Sequence, residues 1–263
     1  MRRFTIGDIH GNLKALNAVL DSANFDNDND MLIVLGDISD GHTEVFGCVE
    51  RLLQIKNLTL VLGNHDLWLI SWLRGDFDSI FGHQRVLDSD RKHYVKIIKN
   101  YCKRNQGTEL NYWFNQGGRN TLKSYEGKTE EDMKRHLNFF NKGNFRYILD
   151  NMAFVHGGLP IAIEDLRRFS PQDFVWDRDL FYNTFSDFPK ISRNMYDKVF
   201  IGHTTTQIIR NCTYPMIRNK VYAMDTGAGY NGKLSMINID DDTIYQSFLA
   251  KEYYVIKGIR QWL

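Results

Sequence analysis

Along this chain, short unbroken apolar runs keep ending in the same kind of polar cluster. Phe4-Thr5-Ile6 runs into Gly7-Asp8-Ile9-His10-Gly11-Asn12, and Leu32 to Leu35 runs into Gly36-Asp37-Ile38-Ser39-Asp40. Leu58 to Leu62 leads to Gly63-Asn64-His65-Asp66, Ala153-Phe154-Val155 to His156-Gly157-Gly158, and Val199-Phe200-Ile201 to Gly202-His203-Thr204. Continuous runs without alternation predict strands buried on both faces. Between the first two runs, Leu13, Leu16, Val19 and Leu20 recur at helical spacing and predict an amphipathic helix over 12–23. A second helix is predicted from Val45 to Ile55. Strand, helix, strand, helix, strand is a βαβ start, which sets each polar cluster at the carboxyl end of its strand, where open α/β sheets place their ligands. From residue 67 to about 150 the pattern becomes helical, with Thr129 placed to cap Glu130-Glu131-Asp132. The expectation is one domain over residues 1–263 with a mainly helical insertion at about 67–150. Strand patterns return over 221–248.

Composition narrows the function classes. Lys plus Arg number 33 and Asp plus Glu 32, a net charge of +1, so there is no basic excess to bind nucleic acid or an anionic membrane. Hydrophobic residues at 43% and charged residues at 25% are ordinary globular values, which removes disordered and fibrous classes. The apolar runs fall far below the ~20 residues that span a bilayer. Arg2 and Arg3 are followed by Asp8 before any signal-like apolar region, and the three cysteines are scattered. A cytoplasmic protein is expected, with its oligomeric state open.

Each polar cluster alone is ordinary: Asp8 or Asp37 after a glycine can shape a turn, and His156 or His203 can be a satisfied core histidine. Five strand ends that all deliver Asp, Asn or His are not ordinary. Asp8, His10, Asp37, Asn64, His156 and His203 make six donors, too many for one tetrahedral zinc. They suit two divalent ions sharing a carboxylate, with about +2 of residual charge to attract a phosphate. His65 and Asp40 remain over, and a histidine with a carboxylate beside a metal pair suits a general acid held in orientation.

These five motifs, in this order, resemble the signature of the phosphoprotein phosphatase branch of the calcineurin-like metallophosphoesterases, most closely its bacterial and phage Ser/Thr phosphatases. The resemblance implies an α/β fold of four layers, αββα, with two mixed sheets flanked by helices. It implies Asp8 and His10 on one metal, Asp37 bridging, and Asn64, His156 and His203 on the other. His65 would protonate the leaving oxygen with Asp40 as its partner, and a metal-bridging hydroxide would be the nucleophile. Two divalent ions are the implied cofactors, with Mn²⁺ expected and Fe or Zn admitted by the ligand chemistry.

The chain departs from that pattern in places. The second motif of the family continues Asp-Arg-Gly, its arginine gripping phosphate, whereas here Asp40 is followed by Gly41 and His42. Asp66 stands where the family has Glu. Trp176-Asp177-Arg178 resembles the segment that supplies a second phosphate-binding arginine, so Arg178 is expected to bind substrate, and His42 is the candidate to replace the missing arginine.

The expected function is hydrolysis of phosphate monoesters, foremost phosphoserine or phosphothreonine in proteins, with a small phosphoester as the other substrate class. The alternative keeps the chemistry and changes the substrate to a diester or a dinucleoside polyphosphate. A second alternative is a non-catalytic binding protein on the same fold. Three apparent motifs are rejected. Cys212-x5-Arg218 contains Pro215, which has no N–H for a phosphate cradle. Gly227-x-Gly229-x-x-Gly232 precedes a strand, not a helix. Asp26 to Asp30 has Met31 where a calcium loop needs glycine. Tyr112, Trp113, Phe114, Phe139 and Phe140 are expected to be local core.

Overall fold

The computed structural model describes residues 1–75, 109–160, 169–187 and 196–253. The apolar runs form the strands of two five-stranded sheets. In the first, β1 (Arg3–Ile6), β2 (Met31–Val34) and β3 (Asn57–Leu60) run parallel. They are extended antiparallel by β9 (Ser235–Asn238) and β10 (Ile244–Gln246), giving the order β10-β9-β1-β2-β3. In the second, β5 (Met152–Val155), β6 (Lys198–Ile201) and β8 (Val221–Ala223) are parallel. β4 (Arg146–Leu149) and β7 (Met216–Arg218) pair antiparallel at the edges, giving β4-β5-β6-β8-β7.

Alternate residues of each apolar run enter different cores. Leu32 and Val34 face the helices α1 (Leu13–Ser22) and α2 (Val45–Leu52), while Ile33 and Leu35 pack against the other sheet. In the second sheet Val199 and Ile201 pack with Phe174 of α7 (Pro171–Trp176) and Phe181 of α8 (Asp179–Phe185), and Phe200 turns inward. Phe154 and Phe200 stack at 4.9 Å between the sheets. Burying a ring of that kind is worth on the order of 2 kcal/mol. Both faces of each sheet are therefore covered, which gives the four αββα layers expected.

The helix predicted over 12–23 begins after Asn12, whose side chain accepts the Ala15 N–H at 3.0 Å. The helical region opens with α3 (Asn64–Arg74) and continues through α4 (Glu109–Trp113), a wide turn over residues 114–118, α5 (Arg119–Ser124) and α6 (Glu130–Phe140). Thr129 caps α6 as expected, its Oγ1 accepting the Asp132 N–H. The boundary near 150 overruns, however: residues 146–149 are β4, an edge strand paired with β5. The alternating exposure of Arg146, Tyr147, Ile148 and Leu149 is that of an edge strand covered on one face. Residues 76–108 of the expected insertion lie outside the described residues. Among the described residues, no helix is long and apolar enough to cross a membrane.

Candidate metal centre

The loops after β1, β2, β5 and β6 and the first turn of α3 converge at one edge of the sandwich. Backbone hydrogen bonds hold these loops together: the N–H groups of Ile9 and His10 donate to Asp37 O at 3.0 and 2.8 Å, and Gly202 N donates to His156 O at 2.8 Å. The turns are tight enough to force unusual backbone. His10, Asp37, Asp40 and His203 all have positive φ, between 49° and 69°, a conformation that costs a non-glycine residue energy and concentrates at functional sites. Gly202 meets a different demand, because a Cβ there would lie 2.2 Å from Asp8 Oδ1.

Two sets of donors form, with Asp37 in both. His10, Asp37 and His65 have donor atoms within 4.8 Å of one another, and so do Asp37, His156 and His203. His10 Nδ1 faces Ser39 O at 3.0 Å and His156 Nδ1 faces Leu35 O at 2.7 Å. A carbonyl only accepts, so both rings carry the proton on Nδ1 and turn Nε2 inward, the arrangement usual for metal-binding histidines. His156 Nε2 lies 3.0 Å from Asn64 Oδ1 and 3.3 Å from Asp37 Oδ2. Three acceptors so close need a cation among them. Among the described residues, buried Asp8 Oδ1 and His203 Nε2 have no hydrogen-bond partner, although Asp8 Oδ2 accepts the His203 N–H at 2.9 Å. A buried acceptor without a partner is costly, so these atoms fit bound divalent ions. Every residue expected as a metal ligand is therefore at one place, with Asp8 outside the two tightest groups.

The electrostatics of the chain alone agree. Burial pushes the Asp37 carboxyl up, but His156 and His65 beside it outweigh this and hold it well below the usual range. Asp8 is pushed well up by burial and by Asp225. His203 is driven down to about 2 by burial, His156 and Arg178, which keeps its ring neutral and able to ligate. His156 goes the other way: burial lowers it, yet Asp37 raises it to about 9, so in the absence of another cation a proton fills that role.

His65 and Asp40 form the expected pair, with Nδ1 donating to Asp40 Oδ2 at 2.6 Å and Nε2 4.0 Å from Asp37 Oδ2. Burial disfavours the charged ring, but Asp37 and Asp40 together raise its pKa. Asp40 is gripped in turn by the helical region. Trp113 Nε1 donates to both its oxygens at 2.9 Å, and Thr121 Oγ1 donates to Oδ1 at 2.5 Å.

Sequence reasoning misses Trp113 and Thr121, because nothing in their spacing points to Asp40. It also misses Asp66, whose Oδ1 accepts the N–H of Ile38 at 2.9 Å and whose Oδ2 accepts that of Gly63 at 3.0 Å, tying two donor loops together. Burial raises its pKa to about 7. Asp225 is detectable as one more acid at the end of an apolar run. It is buried, and its charge acts on Asp8 and His10.

The two substrate-binding candidates fare differently. Arg178 adjoins the donors, with Nη1 donating to His203 O at 3.0 Å and Thr204 Oγ1 at 2.9 Å, rather than sitting in a surface ion pair. His42 is a poor replacement for an arginine. Its Nε2–H donates to Ala228 O at 2.9 Å, and burial lowers its pKa, so the ring is neutral near pH 7. Position 41 has no room for the family's arginine either: Gly41 has φ of 70°, and a Cβ there would lie 2.8 Å from His10 Cβ. Of the helical aromatics, Trp113, Phe114, Phe139 and Phe140 are core as expected, but Tyr112 is exposed.

Comparison with known proteins agrees with this geometry. The chain is similar to the symmetrical bis(5'-nucleosyl)-tetraphosphatase of Neisseria gonorrhoeae (strain NCCP11945), 24% identical over 281 residues that cover 94% of this chain and 95% of the relative. It is similar to the enzyme of the same name from Pasteurella multocida (strain Pm70), 22% identical and covering 96% of this chain and 99% of the relative. Among solved structures, a provisionally assigned diadenosine tetraphosphatase superposes with a TM-score of 0.57 at 18% identity, covering 94% of this chain and 92% of its own. A cold-active protein-tyrosine phosphatase of a psychrophilic Shewanella gives 0.54 at 14% identity, covering 93% of this chain and 80% of its own. These structural likenesses concern the fold. The expected leaning toward Ser/Thr phosphatases is not what these relatives favour. The family model for calcineurin-like phosphoesterases matches residues 1–225, and this chain belongs to that family of phosphoester hydrolases.

Proposed function

We propose that this chain hydrolyses a dinucleoside polyphosphate at a two-metal centre. The observation that carries the chemistry is that Asp37 falls in two groups of donor atoms, one with His10 and His65 and one with His156 and His203, of which His65 is taken below as the acid. The substrate class is supported by the symmetrical bis(5'-nucleosyl)-tetraphosphatases that match the chain almost end to end. The Ser/Thr phosphatase reading has less support, because the arginine of the second motif is missing and Gly41 leaves no space for it.

In this reading Asp8, His10 and Asp37 would hold one divalent ion, and Asp37, Asn64, His156 and His203 would hold the other. Bound there, such ions supply Lewis-acid charge for the phosphoryl oxygens and acidify water at neutral pH. Asp37 sets the spacing of the two halves. His65 donates its Nε2 proton to the departing oxygen, and Asp40 fixes the ring by accepting from Nδ1. Arg178, anchored at His203 and Thr204, orients a phosphate beside the second group. Water and one P–O–P linkage are consumed, and two nucleoside phosphates leave. Mn²⁺ is the ion to supply, since mixed nitrogen and oxygen donors accept it along with Fe or Zn.

The test is a substrate panel on Mn²⁺-loaded protein, with diadenosine tetraphosphate beside a phosphoserine peptide. Diadenosine tetraphosphate should be turned over faster and yield ADP. Hydrolysis of the peptide with no turnover of the dinucleotide would restore the phosphoprotein reading.

A further inference from the structure

Among the described residues, two exposed aromatic rings lie beside donor residues, and a third reaches the cluster through Trp68. Trp176 is 41% exposed and stands edge-on to His203, with ring centroids 5.9 Å apart. It also meets Trp68 at 5.6 Å, and buried Trp68 in turn packs against His65 at 5.0 Å and Tyr112 at 6.1 Å. Tyr112 is 57% exposed. Tyr230 is 55% exposed and lies beside His10, 6.5 Å between centroids. His10 belongs to one donor group and His203 to the other, so each half of the centre has its own exposed ring.

Single exposed aromatics need no explanation. Rings set against both halves of a buried polar centre do, because the protein has apolar surface there that a purely ionic substrate would not use. The phosphate grip is thin at the same place. The family's arginine is replaced by Gly41, and the donors of Arg178 Nη1 are already engaged by His203 O and Thr204 Oγ1. A substrate held weakly by its phosphates gains from a flat apolar group that stacks.

We propose that Trp176 and Tyr230 are stacking platforms for the nucleobases of a nucleotide substrate, one beside each donor group, with Trp68 and Tyr112 bracing Trp176. The assignment rests on the dinucleotide reading for the number of bases, but its test does not depend on hydrolysis. Every base presents a π-face, so the platforms accept adenine and other bases alike, and stacking should matter more than hydrogen bonding.

The test is calorimetric binding to the Mn²⁺-loaded protein of two ligands it cannot cleave, α,β-methylene-ADP and the monomethyl ester of methylenediphosphonate, which carry the same ionisable groups and differ by the nucleoside. The protein should prefer the nucleotide by roughly five- to 150-fold, the range set by stacking one base. Trp176→Ala or Tyr230→Ala should reduce that preference, and together they should abolish it. Trp176→Phe and Tyr230→Phe should retain most of it, and these also serve if an alanine variant fails to fold. Equal affinity of the wild-type protein for the two ligands would overturn the proposal, as would a preference that survives both alanine substitutions. The two readings fail separately. A nucleoside preference lost in the variants, with diadenosine tetraphosphate left intact, keeps the platforms and removes the substrate. Cleavage of that substrate without any such preference does the reverse.

Discussion

The donor loops and the helical segment 109–124 meet at the same centre but are built differently. His10, Asp37, His156 and His203 stand at the ends of strands paired in the sheets, where backbone hydrogen bonds between neighbouring loops hold them. Asp40 and His65 also come from strand-end loops, yet the groups that grip Asp40 are side chains of helices outside the sheets. Trp113 and Thr121 bond its carboxylate, and Asn120 Nδ2 donates to Gly41 O at 2.5 Å. In the proposed reading the sandwich places the cations, and an appended element sets the orientation of the acid. Damage to the first should remove chemistry outright, while damage to the second should grade it.

The sharpest way to break this division is at its shared carboxylate. Asp37→Asn should leave the protein unable to hold both ions, read directly as metal content after reconstitution with Mn²⁺, and activity should go with the metal. Retention of two ions by Asp37→Asn would show that the donors do not depend on a common bridge. His65→Asn should keep its ions but slow turnover by ~10²–10⁴, the usual span for an acid–base group.

Trp113→Phe keeps the ring in the core and removes one donor from Asp40. A hydrogen bond to a charged group is worth about 1.5–3 kcal/mol, so kcat should fall by about ten- to a hundredfold with KM little changed. The fall should be larger on an alkyl phosphate, whose alkoxide needs a proton to leave, than on p-nitrophenyl phosphate. An equal loss on both would mean that Trp113 supports the fold and not the acid.

The smallest effect concerns how the helices are tied to the sandwich. His136 of α6 is buried between Glu50 of α2, whose Oε1 is 2.6 Å from Nε2, and the Tyr125 hydroxyl, 2.7 Å from Nδ1. A neutral ring satisfies both contacts, Nε2–H donating to Glu50 and Nδ1 accepting from Tyr125. Burial lowers the His136 pKa against the pull of Glu50, with Arg135 and Asp132 as the other charges nearby. The folded state therefore binds fewer protons than the unfolded one below the ordinary histidine pKa of about 6.5. Its contribution to stability is full above that pH and is lost as pH falls further. Between pH 7.5 and 5.5 the wild-type Tm should drop more than that of His136→Gln. Parallel curves would show that this contact does not report on pH.

The donor set is legible in the amino-acid sequence because each donor follows its own apolar run, and a parallel strand delivers what lies just beyond its carboxyl end to one edge of the sheet. The same logic covers all three cores, since residues such as Ile33 and Phe200 alternate with neighbours that face the helices. The edge strand β4 escapes it because one covered face gives only a weak signal in four residues. His42 resembles a cation by position, and its burial, which lowers the pKa against the pull of the Ala228 carbonyl, argues otherwise. Trp113 reads as core and is core, but the direction of its indole N–H is a property of three-dimensional packing. Local pattern and strand direction suffice for the fold and the candidate ion-holding residues, because both act over a few positions of chain. The grip on Asp40 and the aromatics beside His10 and His203 depend on residues tens of positions apart meeting in space, and only folding brings those together.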